Sequence, residues 1–486
     1  MSERLAFTAR AGSGAVRRLR RTDRPAYLPM FTYRLEAAPA SASTAADASV
    51  VPGRSHAEWD WRGLLGFTAV LFLRPQDQLP VITPLHLAEV FAIIGILGLV
   101  MGRFARGFPL ARVTPEVIAL AAFGVAVLVG LPFSIWPTGS LSVFTDIYLK
   151  LLVIFILMVT VLGRAQRIEQ FSFLIVLFSG YIAGRAVIDY LRGINLVENG
   201  RVAGAVSGIF GNPNDLALNM VVFLPFALLF ALKPGPLLAR TLAGGSAMAM
   251  IATIVMTKSR GGAVGLVVMM LVLVIRNLRV RPAIAAGTLV AILAALPFAP
   301  TSFWDRMASI VDAEKDPTGS RQARIDLLED AWDVFLAHPL VGVGLGQFEN
   351  YNPAGRKEAW RVTHNATLEV ATETGLLGLV PFAALLISGA LAPRAARRAL
   401  SKTRGRIRPG AARAPPDEPP DPTRESLILM TAAVTPSLVG WFVCAQFASV
   451  ALNWTLYYVL AIAVATREVA VAHAGTKAAA TARQAA

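Results

Sequence analysis

Three short stretches hold residue types that can do chemistry. The first is Arg201-Val202-Ala203-Gly204, continuing to Gly208-Ile209-Phe210-Gly211-Asn212-Pro213-Asn214-Asp215. The second is Thr257-Lys258-Ser259-Arg260-Gly261-Gly262, and the third runs from His364-Asn365 to Glu373 and Gly375. A guanidinium stays charged at physiological pH and offers a planar fork to phosphate or carboxylate oxygens. An imidazole exchanges a proton near neutrality. Taken singly, each also has an ordinary reading. The arginines suit loops beside lipid headgroups, and a histidine at a helix start often serves only as a hydrogen-bond donor. Asn212 and Asn365 suit either helix caps or ligands for sugar hydroxyls. Glu373 lies about 13 Å beyond His364 along a helix and on its opposite face, so it is expected to pair with a buried cation such as Arg185 or Lys150.

The elements that must carry these residues are apolar. Of 486 residues, 55% are hydrophobic and 16% charged, against about 25% charged in an average soluble protein. Twelve apolar segments can be drawn, near 62–80, 84–101, 116–134, 143–162, 170–190, 214–232, 240–257, 262–276, 283–300, 365–391, 426–447 and 454–467. The expectation is an all-α polytopic membrane protein with about 12 transmembrane helices. Residues 1–60 form a basic cytoplasmic tail, expected to be disordered, and 61–300 hold spans one to nine. Residues 301–364 form a loop with short helices, and 365–470 hold the last three spans with a linker near 392–425. Residues 471–486 form a second tail.

The charge pattern orients the chain. The net charge is +15, a value that suits nucleic-acid binding as well as membrane topology. With the N-terminus inside, 32 of the 46 Lys and Arg fall in inside segments, 12 in outside segments and 2 within spans. Both termini are thus expected in the cytoplasm and 301–364 in the periplasm, and the basic balance needs no nucleic acid. Cys444 is the only cysteine, which excludes an internal disulfide, and no His/Cys spacing suits a metal.

Charges within the spans cluster toward the outer side: Glu89, Asp146, Lys150, Arg185, Asp189, Asp215, Glu369 and Glu373. Asp146/Lys150 and Arg185/Asp189 stand four apart, so each pair can meet on one helix face. The one-sidedness implies a polar cavity that opens outward. Ile325, Leu328, Trp332 and Phe335 recur at helical spacing, which predicts a helix over 320–337 that stops at His338-Pro339.

Together these pieces resemble the superfamily of O-antigen ligases and Wzy O-antigen polymerases. The likeness rests on Arg201 with the Gly-Asn-Pro-Asn run, on Ser259-Arg260-Gly-Gly, on His338-Pro339-Leu340-Val341-Gly342-Val343-Gly344, and on His364-Asn365, Leu368, Glu373 and Gly375. It covers roughly residues 60–470. The resemblance implies a GT-C-like helical fold in the bacterial inner membrane and an active site facing the periplasm. It implies an inverting, metal-independent glycosyltransferase without cofactor. The donor would be a glycan on undecaprenyl diphosphate and the acceptor another glycan or lipid A-core. His364 would be the catalytic base and Arg201 and Arg260 the diphosphate ligands. Arg321, Arg324, Asn212, Asn214, Asn365 and Glu373 would bind substrate or support the site. Ligase, polymerase and protein O-oligosaccharyltransferase share these motifs. A lipid-linked sugar flippase or transporter is the alternative of a different class.

Overall fold

Helix starts follow a repeated local rule. Thr114, Asn212 and Asp421 each precede a proline, and each side-chain oxygen accepts a backbone N–H of the helix that follows. The proline supplies a preset φ at a position whose N–H needs no partner, while the polar residue caps the exposed amides. The computed structural model describes residues 58–204, 210–277, 301–311, 320–402 and 421–485, with a few isolated positions between 278 and 300. Residues 1–57 of the expected tail, most of the segment 283–300, most of the 392–425 linker, and Gly208-Ile209 lie outside the described residues.

The helices are α1 (Trp59–Leu73), α2 (Leu87–Phe104), α3 (Pro115–Gly130), α4 (Pro137–Val161), α5 (Ala165–Arg192), α6 (Pro213–Leu232), α7 (Leu237–Met256) and α8 (Arg260–Asn277). They continue with α9 (Thr301–Val311), α10 (Ser320–Ala337), α11 (Ala366–Lys402), α12 (Pro422–Ala445) and α13 (Trp454–Ala485). A small antiparallel hairpin, β1 (Leu196–Val197) and β2 (Arg201–Val202), follows α5. Among the described residues nine helices are long and apolar enough to cross a membrane. The chain is an all-α polytopic membrane protein. The expected segment 62–80 ends early, because Arg74 adopts a left-handed φ of 42° and closes α1 at Leu73. The last span runs on as one helix to Ala485.

α6, α12 and α13 form the centre, with most side chains buried, and α2 lies at the lipid-facing edge. Phe72, Phe223 and Tyr458 meet edge to face there, and Thr68 and Tyr458 hydroxyls lie 3.0 Å apart. α1 packs on α2 through glycine: a Cβ on Gly63 would lie 2.2 Å from the Gly95 nitrogen. Such contact lets two backbones approach in a membrane, where packing rather than water exclusion holds helices together.

The two ends of the bundle differ. At one end lie the hairpin, the 257–259 turn, α9, α10 and residues 338–365 and 446–453. At the other, Arg467 grips Glu116 with two bonds of 2.6 and 2.9 Å, Lys233 pairs with Glu169, and His473 and Lys477 flank Asp421. Neither expected i,i+4 pair takes the form anticipated. A π-helical turn over Phe144–Tyr148 interrupts α4, Asp146 accepts from Ser142 Oγ (2.9 Å), and Lys150 reaches Glu89 on α2 (3.5 Å). Asp189 accepts from Asn195 Nδ2 (2.8 Å) and so braces the strand hairpin.

Candidate active site

Arg201 is held in place from two sides. Its Nε donates to the Thr257 carbonyl (2.9 Å) and its Nη2 to Asn214 Oδ1 (2.8 Å). The same Asn214 oxygen accepts from Ser259 Oγ (2.9 Å), and Ser259 Oγ in turn accepts from the Gly262 N–H (3.2 Å). One asparagine thus ties β2, the α6 start and the α8 start together. Asn212 is a helix cap: its Oδ1 accepts from the N–H of Asn214 (2.7 Å) and Asp215 (3.2 Å). Of the two readings left open by sequence, capping accounts for it.

The strut gathers cations. Burial, together with the nearby charges of Arg306, Arg324 and Arg260, lowers the Arg201 pKa to about 10, while Glu198 acts in the opposite sense. Lys258, held at a left-handed φ of 48°, is also lowered, by burial and then by Arg306 and Arg201. Arg201 remains charged at neutral pH. Five basic residues from β2, the 257–259 turn, α8, α9 and α10 therefore share one neighbourhood. Arg306 and Lys258 were not singled out as site residues by sequence. The available signal was their place in outward segments beside arginines already chosen. Arg321 lies on α10, and its side chain is outside the described residues.

His364 sits beside this group. Its backbone has φ 49°, in a region sparsely used by side-chain-bearing residues, and its N–H donates to Ser449 Oγ (3.0 Å). Asn365 caps α11, accepting from Thr367 and Leu368 N–H (both 3.0 Å), while its Nδ2 donates to Gln446 Oε1 (3.2 Å). Burial, then Arg324 and Arg361, push the imidazole pKa down to about 4. The ring is neutral at pH 7 and has a lone pair to accept a proton. Ser449 and Gln446 were missed in the sequence because they stand more than 80 residues from the atoms they hold.

Glu373 does not pair with Arg185 or Lys150. Its Oε2 accepts from the Gly346 N–H (2.7 Å). The glycine-rich turn reaches α11 along several backbone bonds: Val343 N–H to Thr372 O and Gly344 N–H to Glu373 O, both 2.9 Å. α11 opens at Gly375 (φ 59°, ψ −162°), and the Leu376 and Leu377 N–H groups donate to Pro339 O (2.8 Å) and Leu340 O (3.1 Å). A Cβ on Gly375 would lie 2.3 Å from the Leu340 carbonyl carbon. The two motifs interlock, and Glu373 fastens the joint. Spacing along one helix could not reveal this, since the donor belongs to a loop folded against it. His338 is a turn residue, 3.0 Å from the Tyr351 hydroxyl. The buried Asp330 accepts from Lys357 (3.1 Å) and Glu358 (3.0 Å) N–H, fixing the 351–364 loop to α10 and with it the relation of Arg324 to His364.

Residues 245–383 match the family model described as O-antigen ligase. The match takes in Ser259-Arg260, the glycine-rich turn, His364, Glu373 and Gly375, and leaves Arg201 outside it. With the helical membrane fold, the match supports an O-antigen ligase-like membrane enzyme. No curated protein matches the chain.

Proposed function

We propose that the protein transfers a glycan from undecaprenyl diphosphate to a sugar hydroxyl, with inversion and without a metal, at the periplasmic face of the inner membrane. The observation that carries this reading is the placement of the His364 imidazole beside a group of arginines at one end of the bundle. In the reaction the acceptor oxygen bonds to the anomeric carbon as the bond from that carbon to the diphosphate oxygen breaks. The electron pair of the broken bond leaves with the diphosphate. Arg201 and Arg260, aided by Arg324 and Arg306, would hold that growing negative charge with fixed donors. His364 would take the hydroxyl proton. Asn212, Asn214, Asn365 and Glu373 would shape the site without touching substrate.

The family match supports a ligase-like reading, for which we take lipid A-core as the acceptor. A polymerase would use the same groups with another repeat chain as acceptor. The test is transfer by the purified protein in liposomes, using a polyprenyl diphosphate glycan with each acceptor in turn. Product formation with inverted anomeric configuration supports the proposal. Donor movement across the bilayer without a new glycosidic bond would indicate a flippase and overturn it.

A further inference from the structure

The membrane level at the site end can be read from α11. Residues 375–393 contain no charged residue and lie between Glu373 and Arg394. Nineteen residues of helix span about 28 Å, close to the roughly 30 Å of a hydrocarbon core. The lipid boundary then falls at the Gly375 kink. It is into this kink that the end of α10 plugs, through the bonds from Leu376 and Leu377 to Pro339 and Leu340. α10 therefore leaves the bundle at the level of the boundary, not out in bulk water.

The three faces of α10 are distinct. Leu327, Ala331 and Val334 are buried against Val343 and Phe348. Asp326, Glu329 and Asp333 form a polar face, where Lys357 pairs with Glu329 and stands 3.9 Å from Asp326. The third face is apolar yet open: Ile325 is 38% exposed, Leu328 38%, Trp332 52% and Leu336 58%, and Leu340 continues the line at 68%. These residues recur in steps of three and four, so they form one stripe. A continuous apolar stripe on a loop helix in water is unfavourable, and tryptophan favours the zone between acyl chains and headgroups.

We propose that α10 is an interfacial helix. Its stripe Ile325–Leu328–Trp332–Leu336 lies in the lipid at the acyl–headgroup boundary, with its acidic face turned to water. Arg324 directly precedes the stripe and carries one of the charges felt by Arg201 and His364. Seating α10 in the interface holds that guanidinium at headgroup level, the depth at which a lipid-borne phosphate presents itself. The seating rests on the membrane architecture alone and does not depend on the transfer reading.

The test uses the full chain with Cys444→Ala, reconstituted in phosphatidylethanolamine/phosphatidylglycerol liposomes. Single cysteines are placed by Ile325→Cys, Leu328→Cys, Trp332→Cys and Leu336→Cys, and on the other face by Asp326→Cys, Glu329→Cys and Asp333→Cys. Each is spin-labelled, and its collisions with oxygen, which partitions into lipid, and with a water-soluble nickel chelate are measured. The stripe labels should favour oxygen and the acidic-face labels nickel, with the contrast following the helical period. Equal nickel access on both faces would place α10 in water and overturn the proposal. Stripe labels shielded from both reagents would mean a protein cover, such as a second copy, and would also overturn it. Independently of cysteine placement, Trp332→Phe should reduce fluorescence quenching by brominated lipids. Unchanged quenching counts against the seating.

Discussion

Removing the His364 imidazole tests the proposed proton transfer most directly. The backbone there is left-handed (φ 49°), so His364→Asn is the better variant, because asparagine tolerates that region and brings no base. His364→Ala serves as a second. General-base loss is worth a factor of about 10² to 10⁴ in rate, or about 3 to 5.5 kcal/mol of barrier. Donor binding should survive, because the arginines remain. The pH profile adds a sharper check. In the free protein the ring has its pKa pushed down to about 4 by burial, Arg324 and Arg361. At pH 7 only about one ring in a thousand then carries a second proton. Activity from this base is present above the pKa and lost as pH falls through it. The acid limb of kcat/KM, which reports the free enzyme, should therefore lie near pH 4, well below the usual histidine range. A bound diphosphate offsets the arginine field, so the limb of kcat, which reports the complex, should lie at higher pH. Arg324→Gln should move the free-enzyme limb upward by removing one of the two opposing charges. The assay is steady-state transfer in liposomes with donor binding measured in parallel. Near wild-type turnover in both His364 variants would remove the residue from the chemistry. Lost donor binding with intact turnover at saturation would make it a diphosphate ligand and refute the mechanism.

Three further outcomes are expected. Arg201→Ala and Arg260→Ala should each cost about a hundredfold or more in transfer with normal expression, and Arg201→Lys should rescue poorly, since one ammonium on a flexible stem does not reproduce the fork that meets Thr257 O and Asn214 Oδ1. Equal rates for Arg201→Lys and wild type would argue against a geometric role. Glu373→Ala should lower stability by about 1 to 3 kcal/mol in thermal unfolding, by leaving the Gly346 amide without its acceptor, while Glu373→Gln keeps an acceptor oxygen and most activity. If the glutamine variant is stable but inactive, Glu373 takes part in the reaction after all. Cysteine labelling of intact cells, in a Cys444-free background, should modify a site near Lys315 but not one near Arg404 with an impermeant reagent, and the reverse pattern would invert the topology.

The helical membrane class, most span positions and the motif residues were legible in the sequence because they rest on local physics. Apolar length decides which segments enter a bilayer, a cap followed by proline decides where α3, α6 and α12 begin, and helical spacing marked α10. The arginines and His364 were chosen from residue type together with the family resemblance, and their roles stand as proposals. What they touch was decided only by the tertiary structure. Asn214 joins Arg201 to Ser259 across 13 and 45 residues, and Glu373 holds a glycine turn 27 residues earlier. Periodicity along one helix cannot encode such contacts, because the partners arrive from separate helices and loops. The expected pairing of Glu373 with a cation failed on this point, since a backbone N–H carries no mark in the side-chain pattern. The low imidazole pKa likewise needs Arg324 and Arg361 brought to one place with water excluded, and packing alone sets both distance and burial.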